Sequence, residues 1–111
     1  MRPMSETYGL RFIFDRSCGR DTAFRREFIK AVCKAVTNSS KSLPYMHAPN
    51  RPDFGYFIAI HLKKFPKHEI LEAVQDFSSK VTVDLLKKPY TYSNSPKDFP
   101  KHYLTLRVSL N

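Results

Sequence analysis

Lys41-Ser42-Leu43-Pro44-Tyr45, then Met46-His47-Ala48-Pro49-Asn50-Arg51-Pro52-Asp53, then Phe54-Gly55-Tyr56-Phe57 is the stretch on which the fold turns. A short apolar entry, Leu43 to Met46, predicts a brief strand. Pro44 removes a ladder donor there and suits an edge or a strand start. Pro49, Arg51 and Pro52 predict a polar tip. The chain leaves through Gly55 into Tyr56-Phe57-Ile58-Ala59-Ile60-His61-Leu62, whose branched and aromatic residues alternate as a strand requires. Together these are the two sides and tip of a β-hairpin.

Upstream, Tyr8 to Phe14 alternates, with Tyr8, Leu10, Phe12 and Phe14 on one face and Gly9, Arg11 and Ile13 on the other. Asp15 to Arg20 breaks that pattern and predicts a loop. Asp21 or Thr22 then caps a helix whose apolar stripe is Phe24, Phe28, Ala31, Val32 and Ala35. Arg26, Lys30 and Lys34 make a basic ridge on another face, which reads either as a phosphate rail or, more simply, as an ordinary solvated helix face. Asn38-Ser39-Ser40 ends it.

Downstream of the hairpin, Pro66 opens a second helix with Ile70, Ala73, Val74 and Phe77 as its buried stripe. Lys80 to Leu85 contains Val-Thr-Val and predicts a strand. Lys87-Lys88-Pro89 closes that element, and Tyr90 to Lys101 predicts a polar surface loop. Tyr103 to Leu110 alternates cleanly, as an added strand or one that forms against a partner.

The order βαββαβ predicts an α+β protein on the ferredoxin-like plan: an antiparallel sheet with two helices on one face, plus a C-terminal extension. The expected division is a domain over residues 1–89 and an extension over 90–111. On the hairpin's exit strand, Tyr56, Ile58, Ile60 and Leu62 form a uniform core row. The face carrying Arg11, Ile13, Phe57, Ala59 and His61 is mixed and is expected to be open to a protein partner.

With 111 residues the chain is one domain by length, and 41% hydrophobic content with 14% aromatic is enough for a core. A formal charge of +9, from nineteen Lys and Arg against ten Asp and Glu, favours a polyanionic partner, of which nucleic acid is the usual one. No apolar run is long enough for a transmembrane helix. The first seven residues are too short for a secretory signal and reach a strand too soon for a typical transit peptide. An organelle destination then requires a presequence already removed or import through the mature domain.

Catalysis finds little support. His47, His61, His68 and His102 have no ligand spacing with one another or with Cys18 and Cys33, so neither metal nor other cofactor is expected. Cys18 lies near Arg16 and Arg20, which would lower a thiol pKa, but a structural loop cysteine is the simpler reading. The two cysteines permit one disulfide, though free thiols in a reducing compartment suffice. Three glycines in the whole chain leave no glycine-rich phosphate loop.

Leu43-Pro44-Tyr45, a loop, Gly55-Tyr56-Phe57, a helix and a strand closing in Lys87-Lys88-Pro89 resemble, in order and spacing over residues 8 to 90, the family of ribosomal protein six of the bacterial-type small subunit. The likeness is greatest to its mitochondrial members. Tyr8-Gly9-Leu10 is similar to the family's Tyr-Glu-Leu opening. The resemblance implies a non-enzymatic structural protein that takes no small-molecule substrate. It would bind small-subunit ribosomal RNA in the platform region, together with ribosomal protein eighteen and other small-subunit proteins. The implied location is the mitochondrion, with bacterial cytoplasm or plastid as alternatives.

Lys41 fills the basic place that the family often has before Leu-Pro-Tyr. Where the family's last strand carries an arginine, this chain has Thr82, which can bond a phosphate but lacks the charge and the bidentate fork. Arg51, Lys63, Lys64, Lys87 and Lys88 are further cations expected to compensate at ribosomal RNA. Gly9 replaces the family's glutamate. Two readings from other classes stand beside this one. One is an RNA-recognition-motif-like protein using Phe54-Gly55-Tyr56-Phe57, which requires Tyr56 to be exposed on the open sheet face. The other is a protein-binding adaptor or inhibitor that adds its tail strand to another sheet.

Overall fold

A computed structural model describes residues 7–37, 44–49 and 55–111. Leu43, Lys41 and Arg51 lie outside these residues. The first strand, β1 (Tyr8–Phe14), is followed by a 3-10 turn at Arg16–Cys18 and by helix α1 (Thr22–Thr37). The turn is set by Asp15, whose carboxylate accepts from the Ser17 hydroxyl at 3.0 Å. Asp21 caps α1, its carboxylate accepting the Phe24 N–H at 3.1 Å. At the other end the Thr37 hydroxyl donates to the Cys33 carbonyl at 2.7 Å. The buried stripe of α1 is Phe28, Ile29, Val32 and Cys33. It is rotated from the expected one, because Ile29 and Cys33 extend the apolar arc past Phe28 and Val32, away from Ala31 and Ala35.

The hairpin forms as β2 (Met46–His47) and β3 (Tyr56–Leu62), with Met46 beside Ile58 and His47 beside Phe57. Gly55 enters β3 at φ 92, and a Cβ there would lie 2.5 Å from the Phe12 carbonyl oxygen. Only glycine meets both conditions. Helix α2 (Lys67–Phe77) follows, with Pro66 flanking it and accepting the Ile70 N–H at 3.0 Å. Then come β4 (Val81–Leu85), β5 (Tyr90–Thr91) and β6 (His102–Leu110). Among the described residues no helix is long and apolar enough to cross a membrane.

The six strands form one sheet in the order β2-β3-β1-β6-β4, with β5 also pairing to β6. This corrects the all-antiparallel expectation, since β6 runs parallel to β1, from Gly9 beside Tyr103 to Phe14 beside Val108. It also corrects the reading of the tail as an appendage. β6 lies inside the sheet, between β1 and β4. The reason is its composition. Tyr103, Leu104, Thr105 and Leu106 are consecutive and all buried, so both faces of β6 need cover, as in an inner strand. β4 exposes Thr82 and Asp84 on its outer face and takes the edge.

Both helices cover one sheet face. Phe28, Ile29, Val32, Cys33, Ile70 and Val74 join Leu10, Phe12, Ile58, Ile60, Leu104, Leu106 and Val108 in one apolar core. Phe28 holds its centre, meeting Phe12 at 6.1 Å and Phe77 at 5.4 Å, both edge to face.

The second face carries a smaller core that the chain builds for itself. Residues 90–101, expected as a polar surface loop, fold back as a strap. Tyr90 pairs with Tyr103 and Thr91 with His102. The strap is closed by the Tyr92 N–H donating to the Lys101 carbonyl at 2.8 Å. Tyr92 and Phe99 then bring apolar rings over Phe57 and Tyr103. The aromatic residues overrode the proline and serine content that suggested a solvated loop.

Candidate nucleic-acid interface

The strand register gathers cations at one end of the sheet. Tyr8 lies beside Leu62, Gly9 beside Tyr103 and Leu85 beside Leu106. The start of β1, the end of β3 and the start of β6 therefore share that end, whereas β4 stops opposite the middle of β6 and β5 (Tyr90–Thr91) continues the same edge to the end. Lys63 and Lys64 stand just past β3 and Lys101 just before β6, at that end, while Lys87 and Lys88 lie between β4 and β5 on the adjoining edge, opposite Leu104 and Thr105; all five are exposed. Lys67 opens α2 on the same side. Among the described residues none of these lysines is held in an ion pair, while nearby His68 and Glu72 meet each other at 3.3 Å. From β3 to β6 are two strand steps of about 4.8 Å, so Lys63, Lys64 and Lys101 span about 10 Å across the end. Its unpaired ammonium groups can neutralise more than one backbone phosphate.

Of the RNA-contact residues expected from sequence, Lys63 and Lys64 thus lie at the end of the sheet with Lys101, and Lys87 and Lys88 lie on the edge that adjoins it. Thr82 does not. It pairs with Ser109 near the far end of the sheet, where its hydroxyl donates to the Asn111 side-chain carbonyl at 2.9 Å.

The residues expected on an open partner face share that face but are not equally open. Phe57 is fully buried, stacked on Tyr92 at 4.4 Å and edge-on to Tyr103 at 4.8 Å. Arg11 is 9% exposed, with its guanidinium 3.8 Å from the Tyr90 ring centroid and its Nε donating to the Thr105 hydroxyl at 3.0 Å. Burial holds its pKa below the usual guanidinium value. The strap covers both side chains, which corrects the expectation that they face a partner. Ile13 and Ala59 are half-buried, and His61 is exposed, with Nδ1 3.1 Å from the Thr7 hydroxyl.

Several residues that build this face escaped the sequence reading. The Tyr92 hydroxyl and His47 Nε2 are 3.3 Å apart, and their rings stack. Ser95 donates to the Pro100 carbonyl at 2.7 Å, so the Tyr103 hydroxyl, 2.5 Å away, must be the donor to Ser95. Burial raises the Tyr103 pKa and keeps that proton in place. Gly9 makes the cluster possible. A Cβ there would lie 2.6 Å from Cε2 of Tyr103 and 2.9 Å from the Ile58 carbonyl oxygen. The ring occupies the space left by the missing side chain. The legible signal was the presence of three aromatic residues, Tyr90, Tyr92 and Phe99, in a segment otherwise polar.

Tyr56 belongs to the helix side. It is half-buried, meets Phe14 edge-on at 5.6 Å, and its hydroxyl accepts from Arg25 Nη1 at 3.1 Å. Cys18 and Cys33 are both free and buried. Burial pushes the Cys33 thiol up to about 12. It also raises Cys18, against the lowering expected from neighbouring arginines. Among the described residues no three His, Cys, Asp or Glu side chains come together as a metal site. No family model, no curated protein and no solved structure matches the chain.

Proposed function

We propose that the protein is a non-catalytic structural component of a small ribosomal subunit, of the mitochondrial type. In this reading it binds small-subunit ribosomal RNA through the basic end of its sheet and works beside ribosomal protein eighteen. The observation that carries this reading is the set of exposed lysines at one end of the sheet and its adjoining edge, Lys63, Lys64, Lys101, Lys87 and Lys88, on a chain of net charge +9. The resemblance of the hairpin and of the Lys87-Lys88-Pro89 close supplies the ribosomal identity.

The architecture agrees with a ferredoxin-like core into which β6 has entered. If β6 is set aside, β2, β3, β1 and β4 alternate in direction, and both helices cover one face. On the proposed partner face, Ile13, Ala59 and His61 are the positions left for protein eighteen. The readings from other classes lose ground on particular residues. A base-stacking sheet needs Tyr56 on the open face, and it packs on the helix side. A tail that augments another sheet needs a free strand, and β6 is paired on both sides.

A salt titration tests the RNA contact. The logarithm of the binding constant for a small-subunit RNA fragment should fall linearly with the logarithm of salt concentration. Replacing Lys63, Lys64, Lys87 and Lys88 by Ala should make that slope shallower by about 0.7–0.9 for each phosphate no longer neutralised. An unchanged slope and affinity in the fourfold variant would remove the basic end from the interface.

A further inference from the structure

Every described Phe and Tyr is buried or half-buried except one. Tyr45 is 84% exposed. Such exposure usually accompanies a loose loop, but the backbone here is fixed. The Tyr45 carbonyl accepts the Ala59 N–H at 2.9 Å, and the next two residues pair in β2 with Ile58 and Phe57. The ring is thus held out on an anchored backbone at the outer edge of the sheet.

The register gives that edge a direction. Tyr45 is level with Ala59, and beyond Ala59 at a spacing of two come His61 and Lys63, both exposed. At about 3.3 Å per residue, His61 is about 7 Å and Lys63 about 13 Å further along. The aromatic ring therefore stands at one margin of the basic end, with Lys63 further along the same edge. A protein partner would be expected to surround such a tyrosine with apolar neighbours. Along the neighbouring strand, on the face that Tyr45 shares by register, come a half-buried alanine, a histidine and a lysine.

We propose that Tyr45 is the stacking residue for a single unpaired base of an RNA whose backbone lies on the lysines at the basic end. This rests on the RNA-binding reading above and deepens it. The base must be unpaired, because bases inside a helix do not offer a face. It is one base rather than a run, because stacking along a single strand needs successive exposed rings. The other described aromatics are taken up in the two cores. The ligand class is a double-helical RNA with a bulged or terminal nucleotide.

The test uses the full chain and two synthetic hairpins that differ only in one bulged 2-aminopurine. The unaltered protein should bind the bulged hairpin more tightly than the paired one and quench its fluorescence. Tyr45→Ala should weaken binding to the bulged hairpin by about 5- to 150-fold and abolish the quenching, with little effect on the paired one. Tyr45→Phe should keep both. The double change Lys63→Ala with Lys64→Ala should weaken both hairpins in parallel. Equal affinity of the unaltered protein for the two RNAs, or a bulge preference that survives Tyr45→Ala, would overturn the role of Tyr45 while salt-dependent RNA binding persisted. Failure to bind either hairpin at low salt would overturn it together with the RNA-binding reading.

Discussion

Gly9 and Tyr103 are the pair of residues on which the second face depends. The Tyr103 ring lies where a side chain at position 9 would be, and it reaches Phe57 edge-on. Gly9→Ala must displace either a fully buried ring or the β3 backbone, so it should destabilise the protein by about 1–3 kcal/mol, the usual cost of overpacking. Urea unfolding measures this. In a Tyr103→Ala background the same change should cost less, because the ring is gone and only the Ile58 carbonyl remains close. Equal costs in the two backgrounds would mean that the ring is not what Gly9 accommodates. From sequence, Gly9 stands out only as a departure from the Tyr-Glu-Leu opening. Its reason is steric and comes from a residue far along the chain.

Among the elements, β6 makes the largest difference to the fold. It pairs with β1 on one side and with β4 and β5 on the other, and it contributes the buried residues Tyr103, Leu104, Thr105, Leu106 and Val108. Its amides in the isolated protein should exchange as slowly as those of β1, since both open only when the sheet opens. Fast exchange in β6 beside protected amides in β1 would contradict its inner position. A chain ending at residue 89 should not fold cooperatively, because β1 would lose its parallel neighbour and β4 its only partner.

Each main strand and helix was legible from period and capping: the two-residue alternation of β1, β3 and β6, the Asp21 cap, and Pro66 before α2. The neighbour order was not legible, because alternation marks a strand without saying what it pairs with. Only the structure shows that Tyr103 to Leu106 are buried on both faces while Thr82 and Asp84 in β4 are exposed, which separates the inner strand from the edge. Lys63, Lys64, Lys87 and Lys88 were legible residue by residue, but their placement at one end and its adjoining edge, with Lys101, needed the strand register.

On the scale of the whole molecule, one sheet carries two different faces and one basic end. Helices close the first face and the strap closes half of the second. Among the described residues little exposed aromatic surface is left for base recognition, so on the proposed reading RNA affinity should come mainly from phosphate neutralisation, with Tyr45 as a local addition. An architecture of this kind suits a protein that fits into a folded RNA rather than one that reads a single strand.

The ribosomal reading as a whole is tested most directly by sedimentation of a mitochondrial extract with and without ribonuclease. The protein should travel with the small ribosomal subunit and shift to the top of the gradient when the RNA is digested. A protein that stays at the top in untreated extract, or travels with a protein complex indifferent to ribonuclease, would contradict the account.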